Sequence, residues 1–253
     1  MLLPHSILWH YLWVAPYALL AILATVMVRR GLHREFPAFF SYTIFESVCG
    51  TAVYVIDITP SFSNNVYWRS YLTFLLLEVI VKLFVIGELF KYQLRRYPAV
   101  AGLARLLATV VGAVLIFAAT VIAASASPRS YWLISATRIL GRSVSIVECG
   151  LILFLLVLAF HFRLRWENRL FGIMLGFAIT ASVYVAYWAV MTPWLLGTKS
   201  HLLDFLNMAT YHLCVLIWFY YLLVPQKKPT TSAVSLPENN LAIWNRELER
   251  LLQ

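Results

Sequence analysis

The feature that most constrains this chain is a repeated one. Runs of about 20 apolar residues follow one another along most of its length, separated by short polar connections. An α-helix rises about 1.5 Å per residue, so each run is long enough to cross a bilayer core of about 30 Å. Composition points the same way. Of 253 residues, 62% are hydrophobic and 12% are charged, where a soluble domain carries roughly 25% charged residues. A soluble protein that buried all of these runs would have too little polar sequence left to wet its surface. The expected fold is all-α: a polytopic membrane protein built as a seven-transmembrane-helix bundle.

The predicted spans are 7–28, 37–58, 67–90, 102–125, 131–161, 168–196 and 201–224. The fifth and sixth exceed what a bilayer requires and are expected to tilt or project into water. Connections fall where turn and breaker residues gather. Residues 29–36 are basic and end at Pro37, 58–66 contain Pro60, Asn64 and Asn65, and 91–98 are basic and end at Pro98. Residues 125–130 and 196–200 are short turns, and 161–169 are basic again.

Basic residues then set the orientation. Arg29, Arg30, Arg34, Lys91, Arg95, Arg96, Arg105, Arg163, Arg165 and Arg169 flank the ends of the first, third and fifth spans, and Lys227 and Lys228 open the tail. The opposite connections hold Arg69, Arg129 and Lys199. Twelve against three places the first set in the cytoplasm. An odd number of spans puts the N-terminus outside and the C-terminus inside. Met1 to His10 contain no Lys or Arg, so the first run reads as an uncleaved helix.

Three regions follow: the helical bundle over 1–225, a flexible linker over 226–239 rich in Pro, Ser and Thr, and a cytoplasmic amphipathic helix over 240–252. Asn240 is a suitable cap for that helix. Leu241, Trp244, Leu248 and Leu251 share one face, opposite Asn245, Arg246, Glu249 and Arg250. Such a helix lies on the inner membrane surface or docks onto a protein partner. Within the bundle, Gly172 and Gly176 in the sixth span, and more weakly Ala108 and Gly112 in the fourth, provide small-residue pairs for close helix packing. Trp9, Trp13, Tyr67, Trp68, Tyr131, Trp132 and Trp194 sit at span ends as an aromatic belt.

Six ionisable residues fall well inside the spans: Glu46 in the second, Glu78 and Lys82 in the third, Arg138, Arg142 and Glu148 in the fifth. A charge at the bilayer centre costs about 2.5–3.5 kcal/mol on insertion scales. Six of them unpaired would approach the whole stability of the fold, so they are expected to face inward and pair. Counting back from the cytoplasmic helix ends puts Glu78, Lys82 and Glu148 near mid-depth, with Glu46 close to that level. Arg142 lies a turn or two outward and Arg138 one turn beyond. Glu78 and Lys82 are four residues apart in the favourable order on one helix face. Arg138 and Arg142 are likewise one turn apart, with Ser145 and Cys149 continuing roughly the same face. The second, third and fifth spans are therefore expected to meet around Glu46, Glu78, Lys82, Arg142 and Glu148. One reading of such a centre is ion-pair glue that fixes which helix faces which. The other is a binding site for a proton, an ion or an anionic ligand. Asp57, Glu88 and Asp204 lie at span ends and read as interfacial.

Other chemistries find little support. Cys49, Cys149 and Cys214 lie singly in separate spans, without the paired spacing of a zinc or redox site. The six histidines include no H-E-x-x-H or H-x-x-x-H pattern. His10, His201 and Asp204 lie near the outer face, where a metal would need them clustered, but neighbouring residues at a membrane surface are usually just solvated and are read so here. His212 alone is clearly mid-span. The arrangement resembles rhodopsins and seven-helix receptors in topology only. A retinal Schiff base needs a lysine, which rhodopsin-like proteins carry on the last helix, and 201–224 contain none. No nucleotide-binding or serine-hydrolase motif occurs. The net charge of +9 sits in loops beside apolar runs, which reads as topology rather than nucleic-acid binding. No metal site, cofactor or catalytic group is expected. The expected function is a non-catalytic sensor, signalling or accessory module with a charged core. A small ion- or anion-coupled transporter is the alternative. The expected partners are the bilayer, a small ligand or ion in the bundle, and a protein at the C-terminal helix. Short loops and the lack of a glycosylation sequon favour a bacterial inner membrane.

Overall fold

A computed structural model describes residues 6–93, 145–157, 167–190 and 200–224. Among these the protein is all-helical, without strands. The helices are α1 (Ile7–Arg29), α2 (Leu32–Glu35), α3 (Pro37–Ile58), α4 (Asn64–Gln93), α5 (Ser145–Val157), α6 (Asn168–Val190) and α7 (Ser200–Leu223). The chain divides into two compact units at Leu222/Leu223. Everything below concerns the first. The expected span over 102–125, the linker over 226–239 and the helix over 240–252 lie outside the described residues.

Four helices are long and apolar enough to cross a membrane: α1, α3, α6 over Asn168–Tyr187 and α7 over Leu202–Leu223. Their outward faces carry large apolar side chains such as Ile22, Val48, Leu206 and Leu213, each more than 50% exposed. Apolar surface on that scale marks a face that meets lipid. The hydroxyls on these faces agree with it. Thr25, Ser41, Thr51 and Thr210 are exposed, and each donates back to the carbonyl one helical turn earlier. A hydroxyl facing hydrocarbon has no water to bond and uses its own backbone instead. This is a membrane protein.

Local chemistry explains the element ends. Ser6 caps α1 by accepting from the Trp9 N–H at 3.3 Å. Gly31, at φ 73°, turns the chain out of α1 through the left-handed region. That turn lets α2 form within a stretch that reads as loop in the sequence. Pro37 opens α3 at the first helical position, but Phe36 before it offers no capping side chain. The cap comes from another helix: Glu88 of α4 accepts from the backbone N–H groups of Ala38 at 3.0 Å and Phe39 at 3.1 Å. One carboxylate thus satisfies two of the orphan donors of α3.

Contacts at the helix ends sort into two sets. At one end Glu35 pairs with Arg169 at 2.9 Å, Tyr92 donates to Glu167, Arg30 donates to the Leu222 carbonyl, and Glu88 caps α3. At the other end His10 bonds Tyr54 and Tyr187 donates to Asp204. α1, α3, α4, α6 and α7 therefore cross the bundle in alternating directions. α5 runs parallel to α4, since Glu148 meets Lys82 and Phe154 stacks on Phe90.

The core is aromatic where α3, α6 and α7 meet. Trp218 is fully buried among Phe39, Tyr42 and Phe177. Gly172 and Gly176 make room there. A Cβ on Gly172 would strike the Tyr221 ring, and one on Gly176 would lie 2.1 Å from Trp218 Nε1. The small pair in α6 thus admits aromatic rings rather than a neighbouring backbone. With no side chain at Gly176 in the way, the Trp218 indole N–H donates to the Ile173 carbonyl at 3.1 Å.

Candidate functional site

A polar centre lies between α3, α4, α5 and α7, between the two sets of end contacts. It is organised by Lys82. The ammonium sits 2.8 Å from Glu78 Oε1, one turn earlier on α4, and 3.5 Å from Glu148 Oε2 on α5. The i, i+4 spacing on a continuous helix delivers the first contact. The second comes from α5, whose Leu151, Ile152 and Leu155 belong to the same apolar core as Val85, Ile86 and Leu89 of α4. Glu46 of α3 stands near enough to Glu78 and Lys82 to interact with both. Its Oε2 accepts from the Tyr211 hydroxyl of α7 at 3.4 Å.

Burial is high. Glu46 is 9% exposed and Glu148 4%. Two carboxylate oxygens, Glu46 Oε1 and Glu148 Oε1, are buried with no hydrogen-bond partner among the described residues. Beside Lys82 lies a cavity of about 20 Å³ lined by Glu78, Lys82, Glu148, Ser145, Thr180 and Tyr184, with apolar walls from Leu75, Val79 and Ala181. That volume admits about one water. In charge terms the described residues place three carboxyls around one ammonium, so the centre would carry two net negative charges with every group ionised.

The residues expected from the sequence are thus distributed as follows. Glu78, Lys82 and Glu148 come into contact, and Glu46 adjoins them. Arg138 and Arg142 lie outside the described residues. Sequence reading missed the phenols around the centre: Tyr17 of α1, Tyr42 of α3, Tyr184 of α6 and Tyr211 of α7, all of which interact electrostatically with Glu46 or Glu78. The available signal was their depth. A tyrosine far from the membrane surface needs an internal partner for its hydroxyl, and these lie mid-span, away from the aromatic belt.

Outside this centre, His10 and Asp204, expected near one another at the outer face, are engaged with Tyr54 and Tyr187 respectively. His212 packs with its ring tilted against Tyr11, and its Nδ1 is buried without a hydrogen-bond partner among the described residues. Among the described residues no group of three or more His, Cys, Asp or Glu is arranged to hold a metal ion. Near the C-terminal end of α4, beyond the 67–90 span, burial and the neighbouring Glu167 and Glu35 carboxylates push the Tyr92 phenol above its usual range.

Neither a protein-family model, nor a curated protein, nor a solved structure matches this chain.

Proposed function

We propose that the chain is a non-catalytic membrane module of the sensor, signalling or accessory type, with the Glu46, Glu78, Lys82 and Glu148 centre as its working part. The observation that carries this reading is the mismatch of charge at Lys82 among the described residues: two carboxylates contact one ammonium, a third stands beside them, and a water-sized cavity adjoins the group. Pure structural glue is best served by matched pairs, because each surplus buried charge is destabilising. A surplus retained in lipid is the mark of a group that binds something or changes state.

The seven-span topology, with the N-terminus outside and the C-terminus in the cytoplasm of a bacterial inner membrane, belongs to this proposal. Two observations support it. α4 and α5 run in the same direction, as they must if one further span separates them. Arg29, Arg30, Arg34, Lys91 and Arg169 gather at one end of the described helices, where a positive-inside arrangement would put them. The amphipathic segment over 240–252 is then the handle for a protein partner.

A transporter is the second reading, favoured by the unpartnered Glu148 Oε1 beside the cavity. Purified protein in liposomes separates the two. The module reading predicts no pH-dependent ion or anion flux, from either the native chain or a folded Glu78→Gln variant. A flux present in the native chain and abolished in a variant that still folds would reassign the protein as a transporter.

A further inference from the structure

We propose that the centre between α4 and α5 binds one exchangeable proton, shared among the carboxyls of Glu148, Glu78 and Glu46 and reached through the cavity beside Lys82. This rests on the reading of that centre as the working part, and it names the ligand.

Charge balance and space lead to it. Three carboxyls cannot all ionise around one ammonium in a low-dielectric interior without strong mutual repulsion, and the usual resolution is that one keeps a proton. Among the described residues every other titratable group facing the site is a phenol or a thiol: Tyr17 from α1, Tyr42 and Cys49 from α3, Tyr71 from α4, Cys149 from α5, Tyr184 from α6 and Tyr211 from α7. In their neutral forms none adds a positive charge, so among the described residues Lys82 is the only cation offsetting the three acids.

The proton has a defined place to land. Glu148 Oε1 is buried and without a hydrogen-bond partner, and Glu148 lines the cavity. A buried acceptor with no donor is costly. A protonated Oε1–H beside a water has a partner, and the Ser145, Thr180 and Tyr184 hydroxyls on the cavity wall give that water further partners. The step is a simple transfer. A protonated water in the cavity gives its proton to Glu148 Oε1, forming an O–H bond and leaving a neutral water. Glu148 Oε2 stays near Lys82, and the charge of the centre becomes less negative by one. Glu46 Oε1, also without a partner among the described residues, gives the proton a second position beside Glu78.

Infrared difference spectroscopy on the full-length protein in lipid vesicles tests this without any gradient or partner. As pH is raised, the native protein should lose a carboxylic-acid carbonyl band that shifts on exchange into heavy water. Glu148→Gln, an uncharged near-isostere, should lose or displace the band. Glu46→Gln serves as the second variant if the first does not fold. Two results overturn the proposal: no carboxylic-acid band at any pH at which the protein is folded, or a band left unchanged in both variants. Flux or partner assays decide the module reading separately, so the failure of either leaves the other standing.

Discussion

The two polar regions of this bundle handle charge in opposite ways. At the end where α1, α4 and α7 finish, each of three acids has a donor: Glu35 with Arg169, Glu167 with Tyr92, Glu88 with two backbone N–H groups. In the middle, three carboxyls share one ammonium among the described residues, and two of their oxygens have no partner among those residues. Glu35 and Arg169 also keep 31% and 20% of their side chains exposed, so the loss of either leaves its partner in contact with water. Around Lys82, Glu46 and Glu148 have no such relief, at 9% and 4% exposed, whereas Glu78 keeps 27%. Matched contacts near the surface fasten helix ends, whereas an unmatched group at depth has more than one charge state within reach.

Removing Lys82 should do the most damage. Lys82→Met takes away the one counter-charge that the described residues give the surrounding carboxyls, and the loss of one partner from a buried pair costs about 3–5 kcal/mol. Thermal unfolding in detergent should show it as a sharply lower transition. A packing lesion of comparable depth sharpens the contrast. Gly176→Ala drives a Cβ into the Trp218 ring and should cost about 1–3 kcal/mol, with a penalty that does not vary with pH. If the Lys82→Met penalty were equally insensitive to pH, packing rather than charge would explain both.

Tyr92→Phe deletes one matched hydrogen bond at the end of α4 and should cost about 1 kcal/mol. Its sign with pH is fixed. The folded phenol holds its proton more tightly than the unfolded one, whose pKa is about 10. Its contribution is therefore complete below about pH 10 and declines as pH rises beyond. Melting curves across that range should fall more steeply for the native chain than for the variant. Smallest of all, Arg169→Ala breaks a half-exposed ion pair and should cost about 0–1 kcal/mol, less at high salt. A cost matching that of Lys82→Met would erase the distinction between the two regions.

Much of this was legible in the sequence, and the legible part was the part set by local periodicity. The second span, 37–58, coincides with α3 because Pro37 and the polar run after Ile58 bound it. The Glu78 and Lys82 pair followed from spacing on one helix. Contacts between distant segments were less accessible. Glu88 read as an interfacial acid, but nothing local says that a carboxylate of α4 will cap α3 fifty residues earlier. Gly172 and Gly176 announced close approach, but not that rings of α7 would fill the space. A count of charges does not reveal which of them meet: of the three acids and three bases that the sequence offered, Glu78, Lys82 and Glu148 come into contact with Glu46 beside them, while Arg138 and Arg142 lie outside the described residues.

The most direct test of that imbalance is a double-mutant cycle between Lys82→Met and Glu148→Gln, read by equilibrium unfolding. An oversubscribed lysine predicts asymmetry. Glu148→Gln alone should change stability by less than about 1 kcal/mol, or raise it, while Lys82→Met alone costs about 3–5 kcal/mol and the second substitution recovers part of that loss. If the two single substitutions proved equally costly, Lys82 and Glu148 would form an ordinary matched pair, and the account of an unmatched centre would be wrong.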